Sequence, residues 1–237
     1  MSSLSWAQTT LVAVAANFSK PMQEIVDVFE KQTEHTVKLS FGSSGKFVAQ
    51  IENGAPFDVF LAADEASVHH LKQSNVAVLG SDFIYAQGKL VLWSAQENMV
   101  DAQGNVLGQA HFKHLAIANP QLAPYGAAAV EFLSSKGLLT QLSPKIVEGE
   151  NIAQVFQFVS TGNAELGFVA YSQILEKGQV MDGSYWVVPQ SQYTPIKQTA
   201  ILLKLGADNS AAMALLAYLK SPDAKAIIAK YGYDLTP

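Results

Sequence analysis

The sequence predicts an α/β protein of two lobes, and three observations carry that prediction. Short apolar runs of strand length alternate with segments whose apolar residues recur at helical spacing, the mark of α/β layers. Four of these strands run straight into a polar loop and then a helix. Extended segments at residues 84–86 and 89–93 carry the chain away near residues 86–88, and a strand at 199–204 brings it back. Lobe 1 is therefore expected at residues 8–86 plus 200–237 and lobe 2 at 87–199, with mixed, mostly parallel sheets flanked by helices.

In lobe 1, residues 10–15 form an apolar run suited to a buried parallel strand. A loop holding Ala16, Asn17 and Ser19 follows. Pro21 suits a first helical turn, and Met22, Ile25, Val26 and Phe29 keep helical spacing. Val37, Leu39 and Phe41 then alternate with Lys38 and Ser40, the period of a strand with one buried face. The chain breaks at Gly42, and Ser43 or Ser44 falls at a helix N-cap ahead of Phe47, Val48 and Ile51. Residues 57–62 read as another buried strand, with Asp64 placed to cap the helix running toward Lys72.

In lobe 2, a strand at 114–118 leads through Ala123, Pro124, Tyr125 and Gly126 to a helix at 127–135. A second strand at 146–147 leads through Glu148, Gly149, Glu150 and Asn151 to a helix carrying Ile152, Val155, Phe156 and Val159. Strands at 165–170 and 185–189 complete the lobe. Helices at 210–219 and 222–230, the latter capped by Ser221, close the chain.

Composition narrows the chemistry. With 49% hydrophobic and 15% charged residues, the 237-residue chain fills a sizeable core. A net charge of -5 without a basic run argues against nucleic acid or an anionic membrane surface as partner. The lack of cysteine removes disulfides, thiolate metal sites and a Cys nucleophile. Ser5, Trp6 and Ala7 have the small-x-small form of a signal-peptidase site, so Gln8 would begin the mature chain and residues 1–7 read as a trimmed export signal.

Catalytic readings fare poorly. Between Gly42 and Gly45 lie two residues where a phosphate loop has four, and Phe47 follows Lys46. Ser43 and Ser44 lack the Gly-x-Ser-x-Gly elbow of a hydrolase nucleophile, and no histidine lies in the four junctions to serve as base. His69 and His70 are adjacent, so they face different directions on a helix and read as solvated surface groups. Asp58 and Asp64 have structural explanations, one in a strand and one at a cap. What remains is a set of neutral donors: Asn17, Ser43, Ser44, and the backbone after Pro124 and at Ile152. A strand-loop-helix junction aims free N–H groups and the positive end of the helix dipole at one spot, which suits an anion. In α/β sheets, ligands bind beyond the carboxyl ends of the strands.

Several of these segments also carry a resemblance. Ala15-Ala16-Asn17-Phe18, Phe41-Gly42-Ser43-Ser44-Gly45, residues 50–60, and Gly149-Glu150-Asn151-Ile152 with residues 162–167 resemble the molybdate-binding proteins of bacterial ABC importers, residues 50–60 most specifically. The similarity runs from about Leu11 to the C-terminal Tyr231-Gly232-Tyr233. It implies a periplasmic-binding-protein fold of type II, with the tetrahedral oxyanion molybdate, or tungstate, in a cleft between the lobes and a membrane permease as recipient. No cofactor and no direct metal-protein bond are implied, since the metal arrives as its oxyanion. Asn17 and Ser44 would bind from lobe 1, Tyr125 and Ile152 from lobe 2; Ala16, Ser43 and Tyr171 are further candidates. Asn17 and Ile152 would offer backbone N–H, Ser44 its hydroxyl and N–H, and Tyr125 its backbone with the ring nearby.

Some members place a ligand-binding Tyr three residues after the glycine matching Gly167, where this chain has Ala170, with Tyr171 one step later. A one-residue shift at a strand end changes the face on which a ring points, so Tyr125 becomes the first candidate for the phenol, with Tyr171 the second. The resemblance implies a periplasmic, monomeric receptor that is not an enzyme and binds no nucleic acid. A receptor for sulfate or another tetrahedral anion is the alternative; a regulator's sensing domain would bring a DNA-binding segment that these residues lack. A site of donors alone disfavours hydrogen phosphate, whose proton finds no acceptor, by about 1–3 kcal/mol. Sulfate has no such proton, so discrimination against it must come from cavity size.

Overall fold

A computed structural model describes residues 7–176 and 178–235. Ser5 and Trp6, part of the expected cleavage site, lie outside the described residues. Two compact units emerge: Met1–Gln87 with Lys197–Lys230 and Asp234–Pro237, and Gly88–Ile196 with Tyr231–Tyr233.

The first unit opens with β1 (Thr9–Ala15), a 3-10 turn (Ala16–Phe18), α1 (Ser19–Gln32), β2 (Thr36–Gly42), α2 (Ser44–Glu52), β3 (Val59–Ala62), α3 (Glu65–Gln73) and β4 (Phe83–Gly88). The second holds β5 (Leu90–Ser94), α4 (Val106–Gln109), β6 (Leu115–Ala118), α5 (Pro124–Ser135), α6 (Leu139–Leu142), β7 (Ile146–Gly149), α7 (Ile152–Ser160), β8 (Leu166–Ala170), α8 (Tyr171–Ile174), the hairpin β9 (Leu175–Glu176) and β10 (Gln179–Val180), and β11 (Ser184–Val187). With β12 (Ile196–Leu202) the chain returns to the first unit, ending in α9 (Ser210–Tyr218) and α10 (Pro222–Lys230).

Both sheets share one strand order: β2-β1-β3-β12-β4 in the first unit and β7-β6-β8-β5-β11 in the second. In each, a central strand pairs in parallel with two neighbours, β1 with β2 and β3, β6 with β7 and β8. An antiparallel strand then extends the sheet, β12 on β3 and β5 on β8. The sheets are thus mixed, the parallel part of each being its first three strands. The repeat is one of topology, and no sequence period reveals it.

Burial follows the sequence pattern over most elements. Along α1, the buried residues are Pro21, Met22, Ile25, Val26 and Phe29, the stripe that the helical spacing marks. β3, β6 and β8 are buried along their whole length, as expected of strands covered by helices on both faces. β2 departs from its expected alternation: Val37 is buried, Leu39 only partly, and Phe41 is 42% exposed. The cause is position, since β2 is an edge strand at the end of its sheet. The return strand begins at Ile196 and α5 at Pro124, both earlier than their apolar runs suggest. The four-residue helices α4, α6 and α8 are too short to leave a periodic signal.

Asp64 has the capping role expected of it, and Asp58, expected within the strand, stands one residue before β3 in a structural role of its own. Asp58 accepts from Leu11 N–H at 2.7 Å, and from Thr10 Oγ1 and Asn209 Nδ2, each at 3.2 Å, tying β1 to the approach to α9. Asp64 caps α3 by accepting from Ser67 N–H at 2.5 Å.

The first turn of α5 lies directly on the carboxyl end of β6. A Cβ at Gly126 would sit 2.0 Å from the Ala118 carbonyl oxygen, with backbone on both sides of the clash. Gly126→Ala is therefore expected to destabilise the protein by about 1–3 kcal/mol or more, the usual scale of overpacking, in urea unfolding. Unchanged stability would contradict this close approach.

Candidate functional site

Three of the longer helices away from the four strand-helix junctions, α3, α9 and α10, are capped by side chains. Besides Asp64 on α3, Asn209 accepts from Ala211 and Ala212 N–H at the start of α9, and Ser221 from Ala224 N–H at the start of α10. At the junctions the first-turn donors are treated differently. Ala15 precedes the 3-10 turn before α1, and Ala123 precedes α5; neither has a side-chain acceptor. Ser43 sits at the N-cap of α2 in extended backbone, yet its side chain accepts no first-turn N–H. A cap occupies these donors, so its omission leaves them for another acceptor.

The two serines after β2 have distinct roles. Ser44, 1% exposed, accepts from Ala63 N–H through Oγ at 2.9 Å. A hydroxyl so held still has its hydrogen to donate. Ser43, 4% exposed, has a buried Oγ with no hydrogen-bond partner among the described residues. Leaving such a group unsatisfied costs about 1–3 kcal/mol, which asks for a reason in function. Asn17 is buried in the 3-10 turn after β1, where its Nδ2 donates to Gln198 Oε1 at 2.8 Å. Because Ala15 pairs with Gly42 in the parallel register, Ala16, Asn17, Ser43 and Ser44 leave adjacent strands at one end of the sheet.

In the second unit Asn151 caps α7, its Oδ1 accepting from Ala153 N–H at 2.9 Å and from Gln154 N–H at 3.1 Å. Val155 N–H uses the Asn151 carbonyl at 3.3 Å. The cap thus serves the second, third and fourth N–H groups of the helix and passes over the first. That first donor belongs to Ile152, a buried residue whose N–H has no acceptor among the described residues. On α5, Tyr125 is buried and Gly126 and Ala127 N–H share the Ala123 carbonyl at 2.9 and 3.0 Å. Ala118 pairs with Gly149, so the starts of α5 and α7 also leave adjacent parallel strands.

Tyr171 begins α8 at the end of β8, on the other side of β6. Its N–H donates to the Lys89 carbonyl at 3.0 Å, and its ring lies 6.4 Å from that of Tyr185. Burial first, then the Tyr185 phenol, push the Tyr171 phenol above its ordinary value. It therefore stays protonated, and a donor, at neutral pH.

All 15 basic residues are lysine, so bidentate recognition of an anion by arginine has no means here. Among the described residues no three His, Asp or Glu side chains converge as a metal site would need. His70 is hydrogen-bonded to Glu52 at 2.9 Å and His69 to Gln73 at 3.0 Å, both at the surface as the sequence suggests. The framework behind the donors left little trace in the sequence: neither the Ser44 link to Ala63 nor Gln198 behind Asn17 belongs to a motif.

Paired α/β sheets of this order, with helix starts collected beyond parallel strands, have the architecture of type II periplasmic binding proteins. The chain belongs to the family of bacterial extracellular solute-binding proteins, whose profile matches residues 10–234. It is similar to the molybdate-binding protein ModA of Azotobacter vinelandii, with 56% identity over 224 residues, covering 94% of this chain and 89% of that protein. The ModA of Rhodobacter capsulatus is 52% identical over 227 residues, covering 96% of this chain and 88% of that protein. The solved periplasmic molybdate-binding protein of A. vinelandii superposes with a TM-score of 0.94 at 43% identity, covering 96% of this chain and all of that one. Membership of this family makes the protein a receptor that acts outside the cytoplasm rather than an enzyme.

The geometry of α7 makes Asn151 a cap and Ile152 the residue the cap leaves out. Asn151→Ala is expected to lower stability by about 0.5–2 kcal/mol, the usual range for a lost N-cap, in urea unfolding. An unaltered midpoint would contradict the capping assignment.

Proposed function

We propose that this protein is the molybdate receptor of an ABC importer, that it takes tungstate as well, and that it delivers the anion to the membrane permease. The lobes, residues 8–86 with 200–237 and residues 87–199, hold the anion between them as one monomeric chain. The observation that carries this reading is the set of donors that no side chain caps, foremost Ile152 N–H and the buried Ser43 and Ser44 hydroxyls. The names of the relatives above supply the identity of the anion.

On this reading Asn17 and Ser44 bind from one lobe and Tyr125 and Ile152 from the other. Ala16 and Ser43 line the first half and Tyr171 flanks the second. Every contact is a neutral donor, and each hydrogen bond to a charged acceptor contributes about 1.5–3 kcal/mol. The helix dipoles add to this, since the anion lies at their positive ends. A fully deprotonated anion uses all donors, whereas hydrogen phosphate would leave its proton facing another hydrogen. Closure by hinge rotation around the anion would then mark the loaded form for the permease.

Isothermal titration with molybdate, tungstate, sulfate and phosphate in one buffer tests the reading. Tight binding of molybdate and tungstate, with sulfate and phosphate far weaker, is the expected result; preference for sulfate, or no binding, would contradict it. Ser44→Ala is expected to weaken molybdate binding by about 1.5–3 kcal/mol, and unchanged affinity would remove Ser44 from the site.

A further inference from the structure

Two glutamines lie buried directly behind the residues read as anion ligands. Gln173, 7% exposed, accepts from Ala170 N–H through Oε1 at 2.9 Å and donates to the Ile152 carbonyl through Nε2 at 3.0 Å. It thereby fastens the first residue of α7 to the carboxyl end of β8. Gln198, 0% exposed on β12, accepts from Asn17 Nδ2 at 2.8 Å. Thr199 pairs with Ala62, so Gln198 stands at the same end of the β3-β12 pair as Ala63, whose N–H fixes Ser44. In each unit a residue read as an anion ligand is held by a buried neutral amide, Gln173 in α8 tied to the end of β8 and Gln198 within the sheet on β12.

Burying an amide is costly unless it is hydrogen-bonded, and an apolar residue would fill these places at less risk. Gln173 makes a capping contact within its own short helix, accepting from the N-cap Ala170 N–H of α8, but its second bond, to the Ile152 carbonyl, serves no cap, since Asn151 caps α7; Asn17 lies in a short turn that Gln198 does not cap. What the two amides do supply is a fixed position for groups that carry ligand donors.

We propose that Gln173 and Gln198 are positioning residues that set the size selectivity of the site. This rests on the oxyanion reading above. Sulfate and molybdate share charge and shape and differ in size, so only donors that cannot move inward can tell them apart. A shell free to contract would close on the smaller anion and lose its preorganisation for the larger. Gln173 holds Ile152 and Gln198 holds Asn17 against that contraction, one from each unit.

The test is titration of the full chain with sodium molybdate and sodium sulfate for the wild type, Gln173→Met and Gln198→Met. Methionine keeps the length of the side chain and removes its hydrogen bonds. Each variant is expected to lose about tenfold in molybdate affinity, the scale of one hydrogen bond, with sulfate affinity changed far less. The molybdate-to-sulfate ratio therefore falls. A variant with merely loosened packing would lose thermal stability and keep that ratio, and an unchanged ratio in both folded variants overturns the proposal. Should a methionine variant fail to fold, Gln173→Asn and Gln198→Asn, each too short for its contact, carry the same expectation. A wild type that binds neither anion would overturn the oxyanion reading and this inference with it. A selective wild type beside equally selective variants would overturn this inference alone.

Discussion

The first N–H groups of a helix have no partner within it, and the structure turns on what is done with them. On three helices outside the four candidate junctions a side chain takes these donors: Asp64 on α3, which follows the parallel strand β3, Asn209 on α9 and Ser221 on α10. At the four candidate junctions the chain either provides no side-chain acceptor, as at Ala15 and Ala123, or has one that leaves the first donor uncapped. The Ser43 side chain accepts nothing from its helix, and Asn151 serves the N–H groups beyond Ile152. Each of these helix starts thus leaves a first-turn donor without a side-chain cap.

That arrangement depends on the sheet register. Ala15 opposite Gly42 in the first unit, and Ala118 opposite Gly149 in the second, bring two helix starts side by side. Backbone donors are placed by strands and helices, so their positions are as firm as the core beneath them. Gly126 shows the cost of this economy: the first turn of α5 lies so close to the Ala118 carbonyl that no side chain fits between them. A receptor built in this way needs no arginine, and the chain has none.

Much of this was legible in the sequence where local rules apply. The stripe on α1, the cap at Asp64 and the cap at Ser221 follow from spacing and residue type alone, and the structure shows each as expected. Ser43 sits where the same rule puts a cap but does not act as one, because a pattern of residue types marks a position and not a hydrogen bond. Phe41 fits the alternation of a half-buried strand and is exposed because β2 has no second neighbour. The shared strand order of the two units, the link from Ser44 to Ala63 and the glutamines behind Asn17 and Ile152 are products of long-range pairing. Gln198 lies 181 residues from the asparagine it holds, beyond the reach of any local pattern.

The measurement that tests the account most directly is an amide NMR titration of the 15N-labelled protein with molybdate. The backbone N–H signals of Asn17, Ser44 and Ile152 are expected to move together, downfield and to saturation, as a charged acceptor takes donors that no side chain caps. Movement confined to lysine side chains, with those three amides unchanged, would contradict the claim that helix starts rather than charged groups hold the anion.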